Sequence, residues 1–372
     1  MAIRRDDALA SIHQRIDAWL QARPDISDPS ILEIEVPASG RSNETVRCRI
    51  RWTDASGHEV EPEVVVRVQP ASDGLYPDTD ITRQAAILTA LAEAGAPVPA
   101  VLWTEVSPSS EEPSFFVMTH VHGRVPQDVP SPHAAGWTTE LSPDQRRRLH
   151  EAGLDALAQL HAIDPHALPG LARPGRGSAL ERHLAWLARW HEWAARGRDL
   201  GLLDDALHHL LHERPATDTT TVVWGDARPG NILYRDDCSV AALVDFEAAG
   251  FGPPEIDVGW WLMFEEFLTD AQQVAILEGF LDRDTTIRYY QGASGRQLRD
   301  LEYYEIMAAL SFAIIMLRFA DREIDAGRLP PDSRIGSGNP VTQMLARKLG
   351  RPVPELAPEF AQVAESSTAI RS

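Results

Sequence analysis

The 372-residue chain sets 55 aspartates and glutamates against 35 lysines and arginines, a formal net charge of −20, within an ordinary composition of 44% hydrophobic and 24% charged residues. That composition excludes a disordered or fibrous protein, the length predicts two lobes or domains, and the acidity excludes a nucleic-acid partner because it repels a polyphosphate backbone. Acidity of this size reads first as solubility and second as attraction for a cationic substrate or a metal.

Residues 5 to 22 place Leu9, Ile12, Ile16, Trp19 and Leu20 at helical spacing and predict an opening amphipathic helix. The same segment lacks the continuous apolar core that a secretory signal needs. Three segments rich in β-branched residues follow, ILEIEV (31 to 36), TVRCRIRW (45 to 52) and EVVVRV (63 to 68), and predict a β-meander. Cys48 and Cys238 lie far apart with no CxxC pair, so neither a disulfide framework nor a zinc site is expected, and a reducing cytoplasm fits the chain. Thr82 to Ala94 then reads as a helix stopped by Gly95, and VLWTEV and SFFVMTHV read as two more strands.

After Gly123 the character changes. Residues 126 to 132 are Pro-rich, and from Ser142 onward most segments carry helical periodicity, among them 144 to 163, 178 to 197 and 301 to 324. A β-rich lobe over residues 1–120 and a mainly helical lobe over 121–372 are expected. The apolar run Met307 to Leu317 is too short to cross a bilayer, which takes about 20 residues, so it predicts a buried helix and no membrane partner. One strand pair stands out in the helical part, VVW…NILYR with VAALVDF, and it flanks the polar loop WGDARPGN. Beyond Pro330 the chain reads as an extended wrap with a short helix and a frayed end.

That loop carries the chemistry. Asp226 and Asn231 stand five positions apart, and Asp245 follows across a hairpin, directly before Phe246. Asn231 and Asp245 offer oxygen ligands to a hard cation, which leaves Asp226 as a base. The order Asp-x-x-x-x-Asn and then Asp-Phe is that of protein kinases, where the carboxylate receives a hydroxyl proton and the metal neutralises phosphate charge.

The ordered set WGDARPGNILY and LVDFEAAGFGPPEID resembles the aminoglycoside phosphotransferase and choline kinase group, whose signature is HGDxxxxN followed by IDFxxxxxGxPxxD. Within it, the likeness leans to actinobacterial phosphotransferases and to kinase modules related to acyl-CoA-dehydrogenase fusions. LEIEVPASGRSNET, FFVMTHVHGRVP and ALAQLHAID extend the resemblance over most of the chain. It implies a two-lobed α/β protein-kinase-like fold, a β-rich first lobe and a helical second, that moves the γ-phosphate of ATP with Mg²⁺ onto a small-molecule hydroxyl acceptor of the aminoglycoside, amino-alcohol or hydroxy-acid kind. By the resemblance Asp226 is the catalytic base, and Asn231 and Asp245 are the Mg²⁺ ligands. Ser39, Gly40 and Ser42 would lie over the phosphates, and Met118, Thr119, His120 and Val121 would present backbone to adenine, where an ordinary strand connection is the alternative.

Several positions depart from the family pattern. Trp224 stands where His is usual, so any hydrogen bond that positions the loop must come from an indole N–H, unless Trp224 only packs. Arg67 replaces the phosphate-binding Lys, and Gln84 replaces its Glu partner. The paired change is coherent, because Arg keeps its charge without a carboxylate and can grip phosphate oxygens with two donors. Pro253 replaces an acidic residue, Asp257 is open between helix capping and catalysis, and His161 reads as a helix-packing residue. Trp186, Trp190 and Trp193 read as core that could also line an acceptor pocket with Trp260, Trp261, Glu265 and Glu266. The rival function is a nucleotide-binding protein without transfer activity, favoured by Trp224, Arg67 and Gln84 together and opposed by retention of Asp226, Asn231 and Asp245. A phosphodiester-cleaving metal hydrolase would need more clustered His and Asp.

Overall fold

The structure is a computed structural model that describes residues 5–24, 26–35, 44–69, 74–78, 80–107 and 114–359. Its elements in chain order are α1 (Arg5–Gln21), β1 (Ser27–Glu35), β2 (Glu44–Thr53), β3 (Glu59–Val60), β4 (Glu63–Val68), α2 (Ile81–Glu93), β5 (Val101–Glu105), β6 (Phe115–Thr119), α3 (Pro143–Ala162), α4 (Ala179–Ala195), α5 (Leu202–His212), β7 (Thr221–Val223), β8 (Ile232–Tyr234), β9 (Val240–Leu243), β10 (Gly250–Gly252), α6 (Glu255–Leu268), α7 (Arg283–Ser294), α8 (Leu301–Asp325) and α9 (Pro340–Lys348). They fall into two compact units. One is drawn from Met1–Ser72, Asp80–Ala85 and Pro99–His120, the other from Asp73–Thr79, Ala86–Val98 and Val121–Ser372.

The first unit is an antiparallel sheet in the order β1-β2-β4-β6-β5, with β3 on the side of β2. Its strands alternate as a half-buried sheet requires. Val46, Cys48 and Ile50 of β2, Val64, Val66 and Val68 of β4, and Phe115 and Val117 of β6 face one core with Ile16 and Leu20 of α1. Burial pushes the Cys48 thiol up to about 12, so it packs there as a small protonated side chain.

The second unit is built on α8, which packs on α4, α5, α6 and α9. By length and composition α8 could cross a membrane, yet 78% of its most apolar stretch is buried inside the fold, as expected of a core helix. Capping boxes set the starts of two other helices of this unit, Ser142 with Gln145 at α3 and Ser178 with Glu181 at α4. The strand pairing differs from the sequence expectation: β7 does not join the β8–β9 hairpin but pairs antiparallel with β10, while β8 pairs with β9. The polar loop therefore runs from one two-stranded ribbon to the next.

Helix α6 crosses α8 closely because Gly259 has no side chain. A Cβ on Gly259 would sit 2.7 Å from the Tyr304 Cβ and 2.8 Å from its backbone carbon. Ala would gain about 1 kcal/mol in helix propensity but force a packed interface apart, which costs about 1–3 kcal/mol. Gly259→Ala is expected to lower stability by about 1 kcal/mol, the middle of the net range, in denaturant unfolding; an unchanged or raised midpoint would show that the crossing can relax.

Candidate functional site

The centre of the site is the turn after β7. The Asp257 side chain, in the first turn of α6, is fully buried. Its Oδ2 accepts from the Trp224 backbone N–H at 2.7 Å and its Oδ1 from the Gly225 N–H at 2.8 Å. His161 of α3 approaches Oδ2 with Nε2 at 2.9 Å and meets the Tyr290 hydroxyl with Nδ1 at 2.6 Å. A carboxylate only accepts, so Nε2 carries a proton, and in the neutral ring Nδ1 then accepts from Tyr290. Asp257 is thus not the cap of α6: it holds the backbone immediately before Asp226. His161 is buried among helices as expected, and it is also the donor that fixes this carboxylate.

Gly225 has φ of +87°, and a Cβ there would lie 2.7 Å from the Ala248 carbonyl, so the turn requires glycine on both counts. Trp224 is fully buried, and its indole N–H is shared between the carbonyls of Val244 at 2.9 Å and Asp245 at 3.1 Å. The tryptophan therefore packs and also supplies the hydrogen bond that ties the loop to Asp245. Asp245 itself sits in the left-handed region at φ of +65°, which Asp tolerates better than most residues.

Asp226, Asn231 and Asp245 are brought together. The Asn231 amide nitrogen donates to Asp226 Oδ2 at 2.7 Å and to the Asp226 carbonyl at 3.1 Å, and the Asn231 carbonyl accepts from Val244 N–H at 3.0 Å, directly before Asp245. Arg228 donates through Nε to Asp226 Oδ1 at 2.9 Å and through Nη1 to Asp128 at 2.6 Å, with its guanidinium 4.8 Å from the Phe264 ring centroid. Burial pushes the Asp226 carboxyl up to about 6, Arg228 opposes the rise, and the charge of Asp245 adds to it. Above that pH the group is a carboxylate with a proton affinity suited to a base near neutrality. Asp245 has no side-chain hydrogen bond or ion pair among the described residues.

Tyr76 has its hydroxyl held protonated by burial and by the charges of Asp226, Asp245 and Glu247. Its ring centroid is 4.8 Å from that of Trp190 and 6.4 Å from that of Trp186. Tyr76, Trp186, Trp190 and Trp260 wall a cavity of about 20 Å³ that reaches Gly225. Trp193, Trp261, Glu265 and Glu266 do not line this cavity: Trp193 sits under the Arg318 guanidinium at 4.1 Å, Trp261 bonds His150, Glu265 pairs with His133 and Glu266 with Lys348. Sequence reasoning missed Tyr76, Arg228 and Asp128. Arg228 lay in the quoted loop, while nothing local marks the other two.

Within the first unit, Arg67 lies in β4 opposite Thr45 and Phe116, half-buried, and Gln84 is buried in α2. Met118 and Thr119 end β6, with the Thr119 N–H donating to the Ala100 carbonyl at 2.9 Å. His120 donates its backbone N–H to Glu63 at 3.1 Å and sets its ring Nδ1 2.9 Å from the Glu63 carboxylate. Val121 opens the following segment. Ser39, Gly40 and Ser42 lie outside the described residues.

The sequence model of the phosphotransferase enzyme family matches residues 33–294. Acyl-CoA dehydrogenase family member 11 of Rattus norvegicus is 29% identical over 203 residues, 54% of this chain and 25% of that protein. The chain spans about a quarter of the length of the first curated relatives it matches. A Ralstonia eutropha JMP134 structure classed among aminoglycoside phosphotransferases aligns with a TM-score of 0.66 and 20% identity over 91% of this chain and 98% of its own. A thermostable mutant of aminoglycoside phosphotransferase APH(4)-Ia, in ternary complex with ADP and hygromycin B, aligns at 0.54 and 16% over 85% of this chain and 95% of its own. At these identities the likeness is one of fold, a protein-kinase-like α/β fold with an antiparallel-sheet N-terminal lobe and a helical C-terminal part.

His183 borders the aromatic cavity, fully buried, and burial pushes its pKa from 6.5 down to about 3, with Arg173 adding to the effect. The folded protein keeps His183 neutral to about pH 3, whereas the unfolded chain protonates it near 6.5. Between those values the unfolded state holds more protons, so acid weakens the fold by about 1.4 kcal/mol per pH unit. Between pH 7 and 4.5 the parent should lose about 2–3 kcal/mol more than His183→Gln; equal acid losses in urea titrations of the two proteins would contradict this.

Proposed function

The chain belongs to the phosphotransferase enzyme family, and from that premise we propose that it transfers the γ-phosphate of ATP, bound with Mg²⁺, to a hydroxyl of a small-molecule acceptor. The observation that carries the reading is the commitment of the Asn231 amide nitrogen to Asp226 at 2.7 Å. One bond does two things. It orients the Asp226 carboxylate, and it leaves the Asn231 side-chain oxygen as the atom for a hard cation, the kind of ligand that Mg²⁺ prefers. Asp245, without a side-chain partner among the described residues, supplies the anionic ligand. The donor set, one carboxylate and one amide oxygen next to further carboxylates, fits a divalent ion that keeps several waters. Bound there, the ion would neutralise charge on the nucleotide phosphates.

In this reading Asp226 accepts the acceptor's hydroxyl proton. Its two oxygens are held by Arg228 and Asn231 and each retains a lone pair, so the base is fixed in direction and still able to act. Arg67 is the proposed phosphate-binding cation. Lys348 is the only lysine in the chain, and it is taken up by Glu266 at 2.6 Å and Glu305 at 3.0 Å, so no lysine could replace Arg67. Ser39, Gly40 and Ser42 as phosphate donors, and Met118 to Val121 as the adenine-facing backbone, complete the proposal.

Three measurements separate the roles. ADP should raise the melting temperature more with Mg²⁺ than with a chelator, because a ligand stabilises the native state it binds. Asp245→Asn should remove most of that difference, and an undiminished Mg²⁺ dependence would exclude Asp245 as a metal ligand. Asp226→Asn should keep the nucleotide-induced shift yet lower ADP release, assayed with water and with a panel of hydroxylated metabolites and antibiotics, by roughly a hundredfold or more. Parental turnover in Asp226→Asn would refute the base assignment. Nucleotide binding with no ADP release on any acceptor would favour a binding protein instead.

A further inference from the structure

Asp226 is held by Arg228, and Arg228 needs a holder of its own. An arginine side chain loses about 2 kcal/mol of rotamer freedom when fixed, so a single bond to Asp226 would leave it sampling other positions. Three features fix it here. Asp128 accepts from Nη1 at 2.6 Å, Phe264 lies 4.8 Å from the guanidinium carbon, and Asp128 is in turn anchored where the Gln272 side-chain amide donates to its backbone carbonyl at 2.9 Å. The pair leaves no room beside it. A Cβ on Gly230 would overlap both Arg228 Nη1 and Asp128 Oδ1, so a side chain there would push the ends of the pair aside.

The electrostatics run the same way. Arg228 is only 16% exposed and Asp128 27%. Burial disfavours the guanidinium charge, but Asp128, Asp226 and Asp245 more than offset this, so Arg228 stays charged. The charge of Asp128 supports the guanidinium alongside that of Asp226. Without Asp128 the Nη1 edge of the guanidinium would lose its partner, and the charge of Asp245, which also acts on Arg228, would draw that edge its way and turn Nε off Asp226.

We propose that Asp128 is a positioning residue that acts through Arg228 to set the direction of the Asp226 carboxylate. The inference rests on Asp226 being the base. Among the described residues no hydrogen bond or ion pair joins Asp128 to the proposed metal ligands Asn231 and Asp245, and its part is to keep Arg228 Nε on one Asp226 oxygen while Asn231 holds the other.

The test combines crystal structures with ADP release from Mg·ATP, using water and the hydroxylated panel as acceptors. In crystals of Asp128→Asn the Arg228 Nε to Asp226 Oδ1 distance should open beyond about 3.5 Å, outside hydrogen-bond range. Retention of that bond would overturn the proposal whether or not turnover is detectable. In kinetics, Asp128→Asn and Arg228→Gln should each lower kcat roughly tenfold, the scale of a misdirected catalytic group, with the ATP KM unchanged within about twofold. The double variant should be no slower than either single one, and Asp128→Glu should recover part of the rate. Losses that multiply, or that fall on KM alone, would overturn it. Parental turnover in Asp226→Asn would instead sink the base assignment, while the crystallographic result would still decide whether Asp128 controls Arg228.

Discussion

The site depends on one buried carboxylate. An unpaired charge in the interior costs several kcal/mol, so Asp257 can be fully buried only because three N–H groups point at it. Two of the three are backbone donors of Trp224 and Gly225, and this converts a demand for charge compensation into a fixed path for the chain. The next residue is Asp226. The third donor, His161, comes from α3 and is itself satisfied by Tyr290 of α7, so helices α3, α6 and α7 all bear on the direction in which the loop leaves β7. Removing any one partner would leave a buried polar group unmatched, and the loop would relax to whatever backbone path remained.

From this fixed start, the remaining geometry is carried by short hydrogen bonds. The Trp224 indole reaches the carbonyls of Val244 and Asp245, so the largest side chain in the loop couples the two acidic residues through backbone. An imidazole at this position would donate a single N–H from a smaller ring. The indole fills more volume and donates in the same sense, and its stacking on Phe246 at 5.5 Å adds packing to the bond.

Much of this was legible in the sequence because it is local. The five-residue spacing of Asp226 and Asn231 and the Asp-Phe pair at 245 and 246 are read directly from the chain, and the alternation of Val64, Val66 and Val68 marks a buried face without any tertiary knowledge. The pairing of β7 with β10 was not legible. A three-residue strand carries no period, and Gly250-Phe251-Gly252 has two glycines that argue against a strand until Val222 and Val223 supply a partner. The tryptophans show another limit. Trp186, Trp190 and Trp193 share a helical face, but seven residues rise about 10 Å along the axis, so Trp193 reaches Arg318 while the other two reach Tyr76. Periodicity reports the face of a helix and says nothing of height. Asp128 and Arg228 meet across 100 positions of sequence, and no local pattern encodes that meeting.

The two central carboxylates differ in surroundings more than in sequence context, and that difference decides what each can do. Asp226 is held on both oxygens, by a guanidinium and by a carboxamide, and burial raises its proton affinity. A group so held is directed and can take a proton on a remaining lone pair, while the guanidinium charge of Arg228 beside it disfavours a metal ion. Asp245 has its backbone fixed by the Trp224 indole and its side chain without such donors among the described residues, which is what a metal ligand requires before the metal arrives. Exchanging the two roles would demand that Asp226 shed both donors and Asp245 acquire them. The proposed division of labour, a base at Asp226 and a metal ligand at Asp245, therefore follows from which carboxylate is already hydrogen-bonded.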